Sequence, residues 1–168
     1  MSSPEKRASQ RTVNVRRATL EDAGEISRVI FESFGAIRDR YTAEAFADVT
    51  PDPEKVAERL ANGAIWVAEV NDGIVGSVSL GREPEGLYVR SMVVLPDLQG
   101  QGIGHKLLEA LHEYAQGTGE NRIFLYTLPF QLGARELYEK YGYAWVRDTP
   151  ADEWFGVPGL EMEKFLDK

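Results

Sequence analysis

The chain has 168 residues, enough for one α/β domain with its own core. Its 27 acidic and 19 basic residues give a net charge of −8, which argues against nucleic-acid binding and favours cationic partners such as protonated amines. There is no cysteine, which excludes a disulfide framework, a thiolate zinc site and a cysteine nucleophile. A cysteine-free chain also fits the reducing cytoplasm, where we expect this protein to reside.

The beginning of the chain differs in composition from the rest. Residues 1–11 are polar, and we predict that they form a mobile tail ahead of a single domain over residues 12–168. No stretch of the sequence approaches the roughly 20 apolar residues that span a bilayer, so we expect no membrane partner.

The first half of the domain predicts an edge strand, two helices and three further strands. Residues 13–16 favour the edge strand, and a helix begins near Leu20 with an apolar stripe at helical spacing. Pro53 lies at the start of the second helix, which ends at Asn62-Gly63. The strands that follow are predicted over 64–70, 74–80 and 87–95, with a hairpin signal at Asn71-Asp72-Gly73.

The second half alternates helices and strands before it closes with two strands. The predicted ranges are a helix over 102–116, a strand over 122–127, a helix over 132–141 and strands over 143–147 and 160–164. The order is therefore β-α-α-β-β-β-α-β-α-β-β. Hairpins pair antiparallel, whereas the strand–helix–strand unit of residues 87–127 requires one parallel pair. We predict an α/β fold with a mixed, mostly antiparallel sheet and one parallel central pair.

A glycine-rich turn between a buried strand and an amphipathic helix is the most informative segment. Gly100, Gly102 and Gly104 remove three side chains from this turn, so its main-chain N–H groups can approach a ligand. No Ser, Thr, Asp or Asn caps the helix, which leaves its first amides without an obvious protein partner. A phosphate or pyrophosphate is the natural partner at the positive end of the helix dipole. The competing interpretation is a tight strand–helix connection with no ligand.

Three phosphate-binding patterns compete for this turn. A dinucleotide fingerprint starting at Gly100 would need glycine where His105 stands, and a P-loop would need lysine there. The third pattern, Q/R-x-x-G-x-G/A, matches residues 99–104.

The third pattern resembles the pyrophosphate motif of the GNAT superfamily of acyl-CoA-dependent N-acyltransferases. Residues 131–143, QLGARELYEKYGY, are similar to a second family block, N-x-x-A-x-x-L-Y-x-x-x-G-F, and the resemblance extends over nearly the whole chain. It implies the GNAT fold, with the parallel pair splayed to admit CoA. It also implies transfer of an acetyl group from acetyl-CoA to an amine, without a metal.

The resemblance assigns roles to particular residues. Main-chain groups of Met92, Val93 and Val94 would pair with the pantetheine arm as an extra strand does. Gln131 replaces the family's asparagine near the pantetheine, and Ala134 belongs to the same block. The residues implied around the CoA pyrophosphate are Gln99, Gly100, Gln101, Gly102, Ile103, Gly104 and His105.

Tyr138 aligns with the family's tyrosine that faces the thioester sulfur. A phenol with a pKa near 10 can protonate a departing thiolate, so we predict that Tyr138 is the general acid. A packed core tyrosine is the alternative. For the base, Glu83, Glu85 and Glu32 are the carboxylate candidates, and none is preferred.

Other questions stay open at this level. The acceptor could be a small-molecule or a peptide amine, because residues 31–53 and 148–159 match no pattern. A non-catalytic acyl-CoA-binding sensor and a nucleotide-binding protein are the alternatives to an enzyme. The two histidines lack a ligand set for a metal. We also predict that an exposed final strand would allow homodimers.

Overall fold

A seven-stranded mixed sheet organises the fold in a computed structural model, which describes residues 12–166 apart from the side chain of Leu132. The tail predicted for residues 1–11 lies outside the described residues. The strands are β1 (Asn14–Arg17), β2 (Ala64–Val70), β3 (Gly73–Glu83), β4 (Gly86–Val94), β5 (Arg122–Thr127), β6 (Ala144–Thr149) and β7 (Gly159–Phe165). Their order across the sheet is β1-β2-β3-β4-β5-β7-β6. The contact between β4 and β5 is parallel and the others are antiparallel, which confirms the predicted fold class.

Helices cover both faces of the sheet. They are α1 (Ala23–Gly35), α2 (Ala43–Val49), α3 (Pro53–Asn62), α4 (Ile103–Gln116) and α5 (Leu132–Lys140). One apolar cluster lies between the sheet and α1 to α3, and the other between the sheet and α4. The stripe of α1 that includes Ile26 and Val29 is fully buried, and so is the stripe of α4 that includes Leu107 and Leu111. Each such side chain contributes about 1.5–3 kcal/mol through burial.

The β2–β3 hairpin turns where the sequence predicts. Asn71 and Asp72 have φ values of 52° and 64°, the two consecutive positive angles that a type I′ turn requires. Asparagine and aspartate tolerate this conformation better than other non-glycine residues. The turn fixes the register, in which Val70 lies opposite Gly73.

Several predicted boundaries differ from the structure. A 3₁₀ turn at Leu20–Asp22 precedes α1, because the Asp22 carboxylate accepts hydrogen bonds from the Thr19 N–H and from the Arg16 guanidinium. Helix α2 is absent from the prediction. It begins after Thr42, whose hydroxyl accepts a hydrogen bond from the Ala45 N–H at 3.1 Å.

The final strand is not an edge of the sheet, so the premise of the predicted dimer is wrong. Strand β7 lies between β5 and β6. Its Glu161 carboxylate contacts Arg122 of β5 at 2.8 Å and Arg147 of β6 at 3.1 Å, which ties β7 to both neighbours. The exposed edge on this side is β6 instead. No helix in the described part of the chain is both long and apolar enough to cross a membrane.

Candidate active site

Strands β4 and β5 diverge in the middle of the sheet. They pair only where residues 87–89 lie beside residues 123–125, although β4 continues to Val94. The register between β3 and β4 shifts at Ser77 and Ser79, and Ser91 has a φ of 54°. This bulge adds one residue to β4 and bends the strand. The result is an opening between two adjacent strands of one sheet.

The open edge of β4 presents main-chain hydrogen-bonding groups. The Leu95 N–H donates to the Val75 carbonyl at 2.8 Å, so the groups of Val94 point away from β3 and toward the opening. By the same alternation, those of Met92 point there too. The Gln99 side chain donates to the Val94 carbonyl at 3.1 Å and ties the following turn to the strand.

The glycine turn leads directly into α4. Gly100 and Gly102 have φ values of 82° and 81°, which only glycine adopts readily. Gly102 is the N-cap, and no side chain among residues 12–166 accepts a hydrogen bond from the first turn of the helix. A Cβ on either glycine would meet no atom within 4 Å, so a ligand has open access to these amides.

Gly104 has a different role from the other two. A Cβ there would lie 3.0 Å from the Met92 Cε and 3.3 Å from a Leu137 Cδ. The missing side chain therefore lets α4 pack closely against β4 and α5. This packing is a second reason for glycine at this position, and ligand access to its amide in the first turn of α4 stays a prediction.

A cavity of about 370 Å³ lies where the strands diverge. At one end, which we call the tyrosine end, it is lined by Met92, Gln131 and Tyr138. Tyr138 is only 6% exposed, and its ring lies 5.7 Å from the ring of Tyr143. Burial raises the pKa of the Tyr138 phenol above its usual value of 10. This tyrosine is thus both a packed residue and a wall of the cavity.

Another part of the cavity wall, which we call the arginine end, consists of Arg59, Arg90, Asp48 and Trp154. The Trp154 Nε1 donates to an Asp48 carboxylate oxygen at 2.8 Å. Nearby, the Thr42 hydroxyl donates to the Phe155 carbonyl at 2.6 Å. These contacts join the two segments that match no pattern in the sequence.

Comparison with known proteins identifies the family. Residues 31–143, about two thirds of the chain, match the family model of the acetyltransferase (GNAT) family. The chain belongs to the GNAT family.

Individual GNAT relatives are distant. Over 146 residues the chain is 30% identical to an uncharacterized N-acetyltransferase, YhfO, of Bacillus subtilis, covering 78% of this chain and 89% of YhfO. Over 119 residues it is 28% identical to a probable N-acetyltransferase, camello, of Xenopus tropicalis, covering 68% of this chain but only 52% of camello. The chain thus spans about half the length of that relative.

A GNAT structure supports the fold independently. The YncA protein of Salmonella typhimurium, a putative acetyltransferase solved with its cofactor acetyl-CoA, superposes with a TM-score of 0.74. The alignment covers 93% of this chain and 95% of YncA at 21% identity, so it shows a common fold.

The residues predicted to bind CoA in this GNAT domain occupy two places. Met92 and Gln131 line the cavity, whereas residues 99–105 lie at the start of α4, outside it. The Gln131 amide accepts from the Thr127 hydroxyl and donates to the Tyr41 hydroxyl, both at 3.3 Å. The side chains of Val93 and Ile103 are buried in the core. The main-chain groups of Val93 face β3, where Val93 lies opposite Ser77, so they point away from the opening.

The last two predicted binding residues lie on the α4–α5 side. Ala134 is partly buried against the core. The His105 Nδ1 lies 3.2 Å from the Tyr141 hydroxyl.

The three carboxylates considered as a base do not line the cavity. Glu83 and Glu85 lie at the distal β3–β4 turn, and Glu32 pairs with Arg28 at 3.0 Å on the surface of α1. The carboxylates in the cavity wall are Asp48 and Glu153. Sequence reasoning missed them because they come from distant segments with no motif.

The histidines are not arranged as metal ligands. Residues 12–166 contain no group of three or more His, Cys, Asp or Glu side chains suited to a metal ion. His112 is buried and its Nε2 lies 2.7 Å from the Tyr143 hydroxyl. Burial, with a smaller contribution from Lys164, lowers the pKa of His112 to about 4, so this side chain is neutral at pH 7.

Proposed function

We propose that this GNAT acetyltransferase moves an acetyl group from acetyl-CoA to a primary amine by direct attack. The observation that carries the proposal is the divergence of β4 and β5. It leaves an unpaired strand edge beside the cavity that Tyr138 lines, and the Gln99–Val94 hydrogen bond joins the uncapped start of α4 to that edge. Family membership and the acetyl-CoA bound to YncA support the choice of donor.

The CoA pyrophosphate would bind at the start of α4. The free amides there and the helix dipole favour a diphosphate, and Gly100 and Gly102 leave room for it. The pantetheine would then run along residues 92–94, where the main-chain groups of Met92 and Val94 face the opening and have no partner in β5. The Val94 carbonyl already accepts from Gln99, so the pantetheine amide would use the second lone pair of that oxygen.

The chemistry needs three events. The neutral amine nitrogen attacks the thioester carbonyl carbon, and strand amides near Met92 stabilise the oxyanion that forms. The carbon–sulfur bond then breaks, and the CoA sulfur takes a proton from the Tyr138 hydroxyl. A carboxylate or water takes one proton from the substrate ammonium before attack and a second from the nitrogen of the tetrahedral intermediate, and tyrosinate is reprotonated from solvent. No covalent acyl-enzyme is needed.

Burial of Tyr138 affects both the donor and the acceptor of the proton. Because its pKa is raised, the phenol is fully protonated at neutral pH. The same apolar surroundings would raise the pKa of the departing thiol above about 8.5. The rise in the thiol pKa therefore offsets part of the loss of acidity that burial causes in the tyrosine.

The experiment combines calorimetry with a thiol-release assay. We expect CoA and acetyl-CoA to bind, ATP and NAD not to compete, and thiol release to depend on an added amine. CoA binding without turnover of any amine would favour the non-catalytic sensor. No heat with either thioester or thiol would refute the cofactor site.

A further inference from the structure

Two arginines at the arginine end form no ion pair with any described residue of the chain. The Nε atoms of Arg59 and Arg90 are buried and have no hydrogen-bond partner in the described part of the chain. No carboxylate among residues 12–166 lies within 4.0 Å of either guanidinium. The protein contacts that the pair does make are a 2.9 Å hydrogen bond from Arg59 to the Ser91 hydroxyl and the Tyr88 ring, 5.6 Å from the Arg90 guanidinium.

Among the partly buried arginines of residues 12–166, Arg59 and Arg90 differ from the others in having no carboxylate partner. Arg16, Arg122 and Arg147 each contact two carboxylates. Two partly buried positive charges side by side are unfavourable without an anion. Accordingly, burial and the neighbouring Arg90 lower the pKa of Arg59 to about 10. The folded protein keeps a concentrated positive charge at one end of its cavity.

We infer that the acetyl acceptor carries a carboxylate and that Arg59 and Arg90 bind it. The inference rests on the proposed transfer reaction. A guanidinium presents a planar pair of N–H donors that matches a carboxylate, and two of them can surround it. The acceptor is then an amino acid or a similar amine with an acid group, rather than a purely cationic amine.

The position of the pair agrees with the reaction. Arg90 lies two residues before Met92 on β4, a separation of about 7 Å along a strand. A carboxylate held there leaves a nearby amine within reach of a thioester beside Met92 and Tyr138. All of these residues line the same cavity.

The surrounding charges favour a singly charged anion that enters from the cavity. Asp48 lines the cavity beside the two arginines, so the three side chains carry a net charge of +1, which matches a carboxylate better than a phosphate dianion. The other acid of the cavity wall, Glu153, is paired with Arg147. The groove on the other side of the pair has an excess of acidic side chains over one lysine, Lys55, which disfavours an anion on that side: Asp52, Glu54 and Glu58.

The test compares matched acceptors with acetyl-CoA. Each common L-amino acid is assayed against its carboxamide and its decarboxylated amine, with phosphoethanolamine as a further arm. We expect at least one amino acid to exceed its carboxamide in kcat/KM by about 10- to 100-fold. Arg90→Gln should reduce the ratio of kcat/KM between the amino acid and its carboxamide to about 1. Arg82→Gln, a change at an exposed arginine outside the cavity, is the control and should keep the preference.

The outcomes separate the inference from the proposed function. Equal kcat/KM for every acid and its carboxamide, or a preference for phosphoethanolamine, would overturn the carboxylate site. If no amine is turned over, N-acetylated amino acids and their carboxamides are titrated into the CoA-loaded protein. Binding of the acids alone, lost in Arg90→Gln, upholds the site and refutes the transferase. Equal or absent binding of acids and carboxamides overturns it.

Discussion

The tyrosine end and the arginine end of the cavity are built in different ways. The tyrosine end depends on main-chain groups of one continuous stretch, residues 92–105, together with one helix that carries Tyr138. The arginine end depends on side chains from separate segments, among them Asp48, Arg59 and Trp154. Main-chain sites need particular backbone angles, and glycines in the sequence indicate where such angles occur. Side-chain sites assembled by tertiary contacts leave no such local pattern.

The largest effect should follow from Tyr138→Phe at the tyrosine end. We expect kcat to fall by about 10²- to 10⁴-fold because the departing sulfur loses its acid, while the Kd for CoA stays unchanged. Thiol release and calorimetry measure the two quantities. Tyr141→Phe is the matched control, since its hydroxyl contacts the His105 carbonyl and Glu109 outside the cavity. An unchanged kcat in Tyr138→Phe would mean that Tyr138 is a packed core residue and not the general acid.

The support beneath the tyrosine end should show in the pH dependence of stability. His112 contacts Tyr143, which packs on Tyr138. The pKa of His112 is about 4 in the folded state against 6.5 unfolded, so the unfolded chain binds more protons between these values. The stability is therefore complete above pH 6.5 and is lost as the pH falls toward 4. The loss amounts to about 3 kcal/mol.

Urea denaturation at a series of pH values tests this dependence. His112→Gln keeps a polar partner for Tyr143 and should flatten the curve in that window. The control, His105→Gln, should leave it intact. A steep curve that persists in His112→Gln would assign the dependence to other groups.

A smaller effect is expected from Gly102→Ala at the start of α4. The φ of 81° costs a residue with a Cβ about 1–2 kcal/mol, so the free turn relaxes away from the geometry that CoA requires. The Kd for CoA should rise about 5- to 30-fold. Gly117→Ala, at the other end of the same helix with a φ of −86°, should leave the Kd unchanged. Equal Kd values for the two variants would mean that CoA does not bind at this turn.

The smallest expected effect is at the arginine end, where the substitution should stabilise the protein rather than impair it. Arg59→Met should raise the free energy of unfolding of the ligand-free protein by about 1 kcal/mol, because it removes a desolvated charge beside Arg90. Thermal denaturation measures the gain. Arg82→Met, a change at an exposed arginine, should stay within about 0.5 kcal/mol of the parent. If Arg59→Met destabilised the protein, the contacts of Arg59 would contribute more free energy than the desolvation of its charge costs.

Much of the fold follows from the sequence because its signals are local. The Asn71-Asp72-Gly73 turn, the apolar stripes of α1 and α4, and the strand–helix–strand unit around the glycine turn all appear where the residues predict them. Helix α2 was missed, although Thr42 followed by Glu44 is an ordinary helix start, because a helix of seven residues leaves little periodicity to detect.

In the candidate site too, the features with a local sequence signal could be predicted and those that depend on tertiary contacts could not. The glycine turn and Tyr138 could be proposed from spacing and resemblance. The pairing of Trp154 with Asp48, more than a hundred residues apart, depends on how distant loops meet. The bulge at Ser91 was equally hidden, since neither serine nor its neighbours signal a positive φ.

The short contact between β4 and β5 has a mechanical consequence. Three residue pairs connect the two strands, so the sheet consists of a β1–β4 half and a β5–β7 half with little hydrogen bonding between them. A ligand filling the gap would fasten the halves together. Hydrogen–deuterium exchange in β5 should then slow more upon CoA addition than exchange in the β2–β3 hairpin, whose strands are already paired from Ala64 to Val70.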